Sequence, residues 1–128
     1  MRPQSITQER FMLSIDHAAF TGDTAIKVAK PSAQFVIDKV RYVNVTGLAT
    51  SASNFFAIQV LLGAAVAATW STETGEEGTI AANTFVDLVN GVSPLRVGAA
   101  DAEIILNFDE TGTATLPAGR LVIEGRYL

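Results

Sequence analysis

The sequence predicts an all-β chain: an antiparallel two-sheet β-sandwich, jelly-roll-like, with about eight strands. Three observations carry this. Apolar and polar residues alternate with period two along much of the chain, and no helical period is sustained. Gly, Pro and Asn punctuate the alternation at intervals of roughly ten to fifteen residues, the spacing of short strands joined by turns. Ala, Val, Thr and Gly are abundant and charges are sparse. Small and β-branched residues suit packed sheets better than amphipathic helices.

Residues 10–15 read as the first strand and 25–30 as the second, which Pro31 stops. Residues 35–46 form a long strand rich in Val, Ile and Tyr, ended by Thr46 and Gly47. Its polar residues change face: Asp38 and Asn44 lie on one side, Lys39 and Arg41 on the other. That switch predicts a bulge, or a strand shared between two environments. Phe56, Ile58, Val60 and Leu62 are the inward set of the next strand, and 64–70 either pairs as a strand or runs as a covered loop. Residues 73–78 read as a loop and 84–89 as a short strand. Asn90-Gly91 is a turn signal. Leu95 and Val97 add a short edge strand. Ile104, Leu106 and Phe108 then alternate with Glu103, Asn107 and Asp109. After a turn-rich link, Leu121, Ile123 and Tyr127 share one face around Gly125, with Glu124 and Arg126 on the other.

If these last two strands pair antiparallel with Leu106 opposite Ile123, then Phe108 meets Leu121 and Glu103 meets Arg126. The alternative sets them in facing sheets. Either arrangement predicts a substantially buried Tyr127. Helix is expected only as a short turn near 18–23 or 49–54. Residues 10–128 are expected to form one domain, preceded at 1–9 by a flexible arm with little to bury.

No charged residue occurs between Arg41 and Glu73. Exposed faces normally collect charges, so this stretch is expected to be covered by the core or by another subunit. Phe55, Gln59, Leu61, Val66 and Trp70 are the candidate oligomer-interface residues, and Arg2 and Arg10 the candidate docking residues of the arm. The net charge of −4 is weighted with acids after Thr72. A nucleic-acid binder usually carries a basic patch, so nucleic acid is not an expected partner. The apolar stretch 55–70 is shorter than a membrane-spanning helix needs, and no membrane partner is expected. No apolar signal-peptide core stands at the amino terminus, which predicts synthesis in the cytoplasm.

Candidate chemistry is sparse. The chain has no cysteine, which removes disulfides, thiol nucleophiles and thiolate metal ligands. Ser14, Asp16 and His17 superficially suggest a hydrolase triad, but on a strand His17 points away from the other two. Glu76 with Glu77, and Asp109 with Glu110, are adjacent carboxylates that diverge on an extended chain, and neither loop has the oxygen spacing of a calcium site. Asn44-Val45-Thr46 matches a glycosylation sequon, read here as incidental. Trp70, Tyr42 and Tyr127 are candidates for a sugar-stacking platform, although such aromatics more often anchor cores and interfaces. No catalytic residue, cofactor or metal is expected.

The order Leu95-Arg96-Val97-Gly98, the link Ala99-Ala100-Asp101-Ala102, the alternating strand and the final Leu121–Leu128 segment resemble small head structural proteins of tailed bacteriophages. Val36-Ile37-Asp38-Lys39-Val40-Arg41 with Val43-Asn44-Val45 is similar to their long central strand. The resemblance implies a capsid decoration (cement) protein, non-enzymatic, commonly a homotrimer, with the major capsid protein as partner and the outer capsid surface of the virion as its location. The competing expectation is a carbohydrate-binding or adhesion module of a phage tail or surface appendage, resting on the aromatics and loop acids.

Overall fold

A computed structural model describes residues 9–90, 97–98 and 102–128, with backbone alone at 90, 97 and 98. Seven long strands carry the architecture: β1 (Arg10–His17), β3 (Thr24–Ala29), β4 (Phe35–Asn44), β5 (Phe55–Leu62), β6 (Ala65–Ser71), β10 (Ile104–Thr111) and β12 (Gly119–Tyr127). Five two-residue strands complete them: β2 (Phe20–Thr21), β7 (Val86–Asp87), β8 (Val89–Asn90), β9 (Val97–Gly98) and β11 (Thr115–Leu116). The first sheet runs β1-β12-β4-β7, with β9 also on β4, and the second runs β3-β10-β5-β6-β8. Every strand pair is antiparallel. No helix occurs among the described residues. The predicted β-sandwich is the observed fold.

Between the sheets lies one cluster built from the inward set of each strand. Phe35, Ile37, Val40, Tyr42, Leu121 and Ile123 come from the first sheet, and Phe56, Ile58, Val60, Ile104, Leu106 and Phe108 from the second. The face switch in the long strand is a bulge. Lys39 opposes Glu124 and Ile37 opposes Gly125, so Asp38 has no partner of its own. The extra residue lets Ile37 and Val40 both reach the core while Asp38 and Lys39 remain exposed.

The region read as one short strand at 84–89 is two. Val86 pairs with Tyr42 in the first sheet, and Val89 pairs with Thr69 in the second. Leu88 between them is buried and donates its backbone N–H to the Val40 carbonyl at 2.9 Å. The chain therefore crosses from sheet to sheet here and closes one side of the sandwich. The covered loop read as an alternative at 64–70 is the strand β6.

Other expectations need correction. The final strand does not pair with β10: β12 lies between β1 and β4, and β10 between β3 and β5. Leu106 and Ile123 meet the same core from opposite sheets. Glu103 accordingly approaches Lys27 at 3.6 Å, and Arg126 approaches Asp38 at 3.4 Å. Tyr127 is only partly buried, because it ends β12 on the open side of the sandwich, against the Phe11 ring 5.2 Å away. Neither suggested helical turn forms. Phe20–Thr21 pairs with β11, and residues 52–54 bend around the Ser51 hydroxyl, which accepts from the Ser53 and Asn54 N–H groups. The Asn90-Gly91 turn and Leu95 fall at or beyond the limits of the described residues.

Candidate interaction surface

The sandwich presents two unlike outer faces. On the first sheet the outward residues of β1, β12 and β4 form a charge lattice: Arg120–Asp16 at 2.6 Å, Arg126–Asp38 at 3.4 Å and Arg41–Glu124 at 3.7 Å, joined by Lys39–Asp87 at 3.8 Å. Exposed pairs of this kind stabilise little, but they keep a sheet face wet.

The second sheet differs because two of its interior strands, β5 and β6, come from the chargeless stretch. Register places Lys27, Ile105, Leu61 and Val66 in one row across the sheet. The next row is Ala25, Asn107, Gln59, Thr69 and Val89. A third is Asp109, Ala57 and Ser71, with Phe55 beyond it on β5. Among the described residues charge appears at the rim, in Lys27 with its partner Glu103 and in Asp109. At the centre the Asn107 amide donates to the Gln59 side-chain oxygen at 3.1 Å, so the two amides satisfy one another. Val89 at one edge is 45% exposed.

Phe55, Gln59, Leu61 and Val66 thus share this face. Trp70 does not. It opposes Ile58, packs against the core, and donates its indole N–H to the Gly78 carbonyl at 3.0 Å. Arg10 is the exposed first residue of β1, opposite Arg126 on the first sheet. Arg2 lies outside the described residues. Sequence reasoning missed Ile105 and Thr69 as members of the face. For Ile105 a signal was present: an apolar residue at an outward position of an alternating strand.

Asp16, His17, Glu77 and Glu110 have structural partners. Ser14 and Asp16 point outward and His17 inward. The His17 ring lies parallel to the Tyr42 ring and edge-on to Phe108. Nδ1 lies 2.8 Å from the Ala18 carbonyl, which only accepts, so Nδ1 carries the proton. Nε2 then accepts from the Tyr42 hydroxyl at 2.6 Å, and that hydroxyl accepts from the Asn44 amide at 3.1 Å. Asn44 also donates to the Pro117 carbonyl and accepts from Thr46 and Gly47 N–H groups. Asn44 is fully buried, so the sequon is not presented to solvent. Tyr42 is fully buried too and cannot stack on a sugar with Trp70 and Tyr127. Glu77 accepts the Ser71 N–H at 2.8 Å and Glu110, on β10, accepts the Gly22 N–H, so both acids fasten neighbouring turns. Among the described residues, no group of three or more His, Asp or Glu side chains could hold a metal ion.

This network predicts a pH dependence. Burial lowers the His17 pKa below its ordinary 6.5, against smaller opposing effects of the Ala18 carbonyl and Asp16. Burial also pushes the Tyr42 hydroxyl up to about 12. The folded chain therefore prefers neutral His17. A protonated ring would donate from both nitrogens and leave the Tyr42 proton without an acceptor. Solvent reaches the ring edge through a cleft of about 390 Å³ lined by Asp16, Val43, Phe85 and Arg120. The stabilisation is complete above pH 6.5 and is lost as pH falls through the lower folded-state value. The melting temperature should fall in that window, and the fall should shrink in His17→Gln. An equal fall in the variant would place the titration elsewhere.

No family model matches the sequence, and no curated protein matches it. Among solved structures, a chain of the cyanophage Pam1 capsid asymmetric unit superposes with a TM-score of 0.61 at 12% identity, covering 100% of this chain and 91% of that one. At that identity the likeness is one of fold.

Proposed function

We propose that this chain is a virion structural protein: a capsid decoration, or cement, protein that binds the outer capsid surface as a homotrimer. The observation that carries the reading is the outer face of the second sheet, which holds charge only at its rim, set against the charge lattice on the first. A solvated sheet face has no need to exclude charge, whereas an interface core is depleted of it. The fold shared with a chain of a phage capsid asymmetric unit supports the virion setting.

In this reading Leu61, Val66, Gln59 and Phe55 contact neighbouring copies, and the partly buried Trp70 supports the strand behind them. Residues 1–9 act as an arm that orders on the major capsid protein or on a neighbouring subunit, with Arg2 and Arg10 meeting acidic groups, and residues 10–128 form one domain. Association rests on apolar area, at roughly 25 cal/mol per Å² before the costs of bringing copies together. Sedimentation equilibrium should show three copies or a multiple of three. Leu61→Asp should weaken that association by about tenfold or more while the melting temperature of the monomer barely moves, since the side chain points out of the core. A wild-type protein that stays monomeric at high concentration would remove the trimer. Deleting residues 1–8 should leave the fold intact and lower occupancy on capsids that lack the protein. Undiminished occupancy would show that the arm is not the clamp.

A further inference from the structure

Among the described residues the sandwich is closed on the side where the chain crosses from β7 to β8 and open on the other, where β1 and β3 are the terminal strands of their sheets. An edge strand offers unpaired backbone groups, and proteins usually blunt it with a bulge, a lysine or a proline. β3 has all three. Ile104 opposes Ala29 and Ile105 opposes Lys27, so Val28 is a bulge, Lys27 is exposed, and Pro31 follows the strand. β1 has none of them. It runs eight residues in unbroken register with β12, contains no proline or lysine, and exposes Met12 by 64%.

Backbone parity shows what this edge presents. The Tyr127 N–H donates to the Glu9 carbonyl at 2.8 Å, so residue 9 and every second residue after it turn their backbone groups toward β12. Arg10, Met12, Ser14 and Asp16 therefore turn theirs to the free edge. The same four side chains lie on the outer face, and Phe11, Leu13 and Ile15 point inward.

We infer that β1 pairs antiparallel with β1 of a second copy across a two-fold axis at Leu13, joining two first sheets into one. This register is self-complementary in three respects. Arg10 stands opposite Asp16 of the partner subunit, and Asp16 opposite the partner subunit's Arg10. Met12 stands opposite the partner subunit's Ser14, so all the edge-facing residues meet as hydrogen-bonded pairs. The inward Phe11 stands opposite the partner subunit's Ile15, and Leu13 opposite its own copy. A shift of one residue would set inward side chains against outward ones. A shift of two would break both Arg–Asp pairs. This surface is separate from the second sheet's outer face, and it does not depend on the trimer proposed above.

The test uses the full-length chain carrying Leu61→Asp, so that association through the other face is not what is measured. Sedimentation equilibrium should show a monomer–dimer equilibrium. Adding Met12→Pro removes a donor that faces only the free edge, a position that a strand tolerates. It should weaken the dimer by about tenfold or more while circular dichroism stays that of the fold. Arg10→Asp, at an exposed side chain, should weaken it as well by placing like charges opposite one another. Because the chain has no cysteine, a mixture of separate Met12→Cys and Ser14→Cys proteins reports the register. The mixed disulfide should outweigh both homodimeric ones. A chain that is monomeric throughout, a Met12→Pro variant that dimerises undiminished, or homodimeric cross-links in equal yield would overturn the inference.

Discussion

Phe108→Ala should destabilise the fold by about 3–5 kcal/mol, the range for emptying a large buried aromatic site. Phe108 is fully buried on β10, an interior strand of the second sheet. Its ring lies 4.9 Å from the His17 ring, 5.0 Å from Phe20 and 6.4 Å from Tyr42, each edge-on. It thus joins the second sheet to β1 and β4 of the first and to the small β2–β11 pair. The surroundings cannot collapse readily into the cavity, because His17 and Tyr42 are held by hydrogen bonds to each other and to Ala18 and Asn44. Denaturant unfolding of the Leu61→Asp background, at a concentration below that of its self-association, should show the midpoint drop without a large change in slope. A loss below about 1 kcal/mol would mean that the ring cluster is loosely packed.

Gly119→Ala should cost about 2–4 kcal/mol, combining steric overpacking with a disturbed buried hydrogen bond. A Cβ at this position would lie 2.5 Å from the Tyr42 hydroxyl oxygen and 2.6 Å from the Val43 carbonyl. Neither can yield alone: the hydroxyl links His17 to Asn44, and the carbonyl belongs to the β4 backbone. Gly22→Ala is the control. Gly22 has φ +85° with nothing within 4 Å of its missing Cβ, so only backbone strain of about 1–2 kcal/mol is expected there. If the two variants melt alike, close packing at Gly119 is not what requires glycine. Thermal unfolding of both against the parent makes the comparison.

The sequence determined a good deal by itself. Alternation marked the strands because a pleated strand sends successive side chains to opposite faces, and burial on one face then fixes which residues are apolar. Phe56, Ile58 and Val60 were legible for that reason, and so was the bulge at Asp38, where the polar residues changed face. The chargeless run likewise identified residues that the fold gathers on one face. Pairing was decided only in the tertiary structure. Ile123 and Leu106 are apolar in the same rhythm whether they are neighbours in one sheet or opposed across two, since alternation records burial and not the partner. Composition was equally silent about Gly119, which reads as the end of a Pro-Ala-Gly turn until the Tyr42 hydroxyl is seen against it. Trp70 reads as an interface candidate together with Leu61 and Val66, but the second bulge of the sheet, where Val60 opposes Ala68 and Leu61 opposes Val66, leaves Ala67 over and shifts the alternation along β6. A one-residue bulge exchanges inside for outside for the rest of its strand. Its position depends on the neighbouring strand, which no local pattern contains.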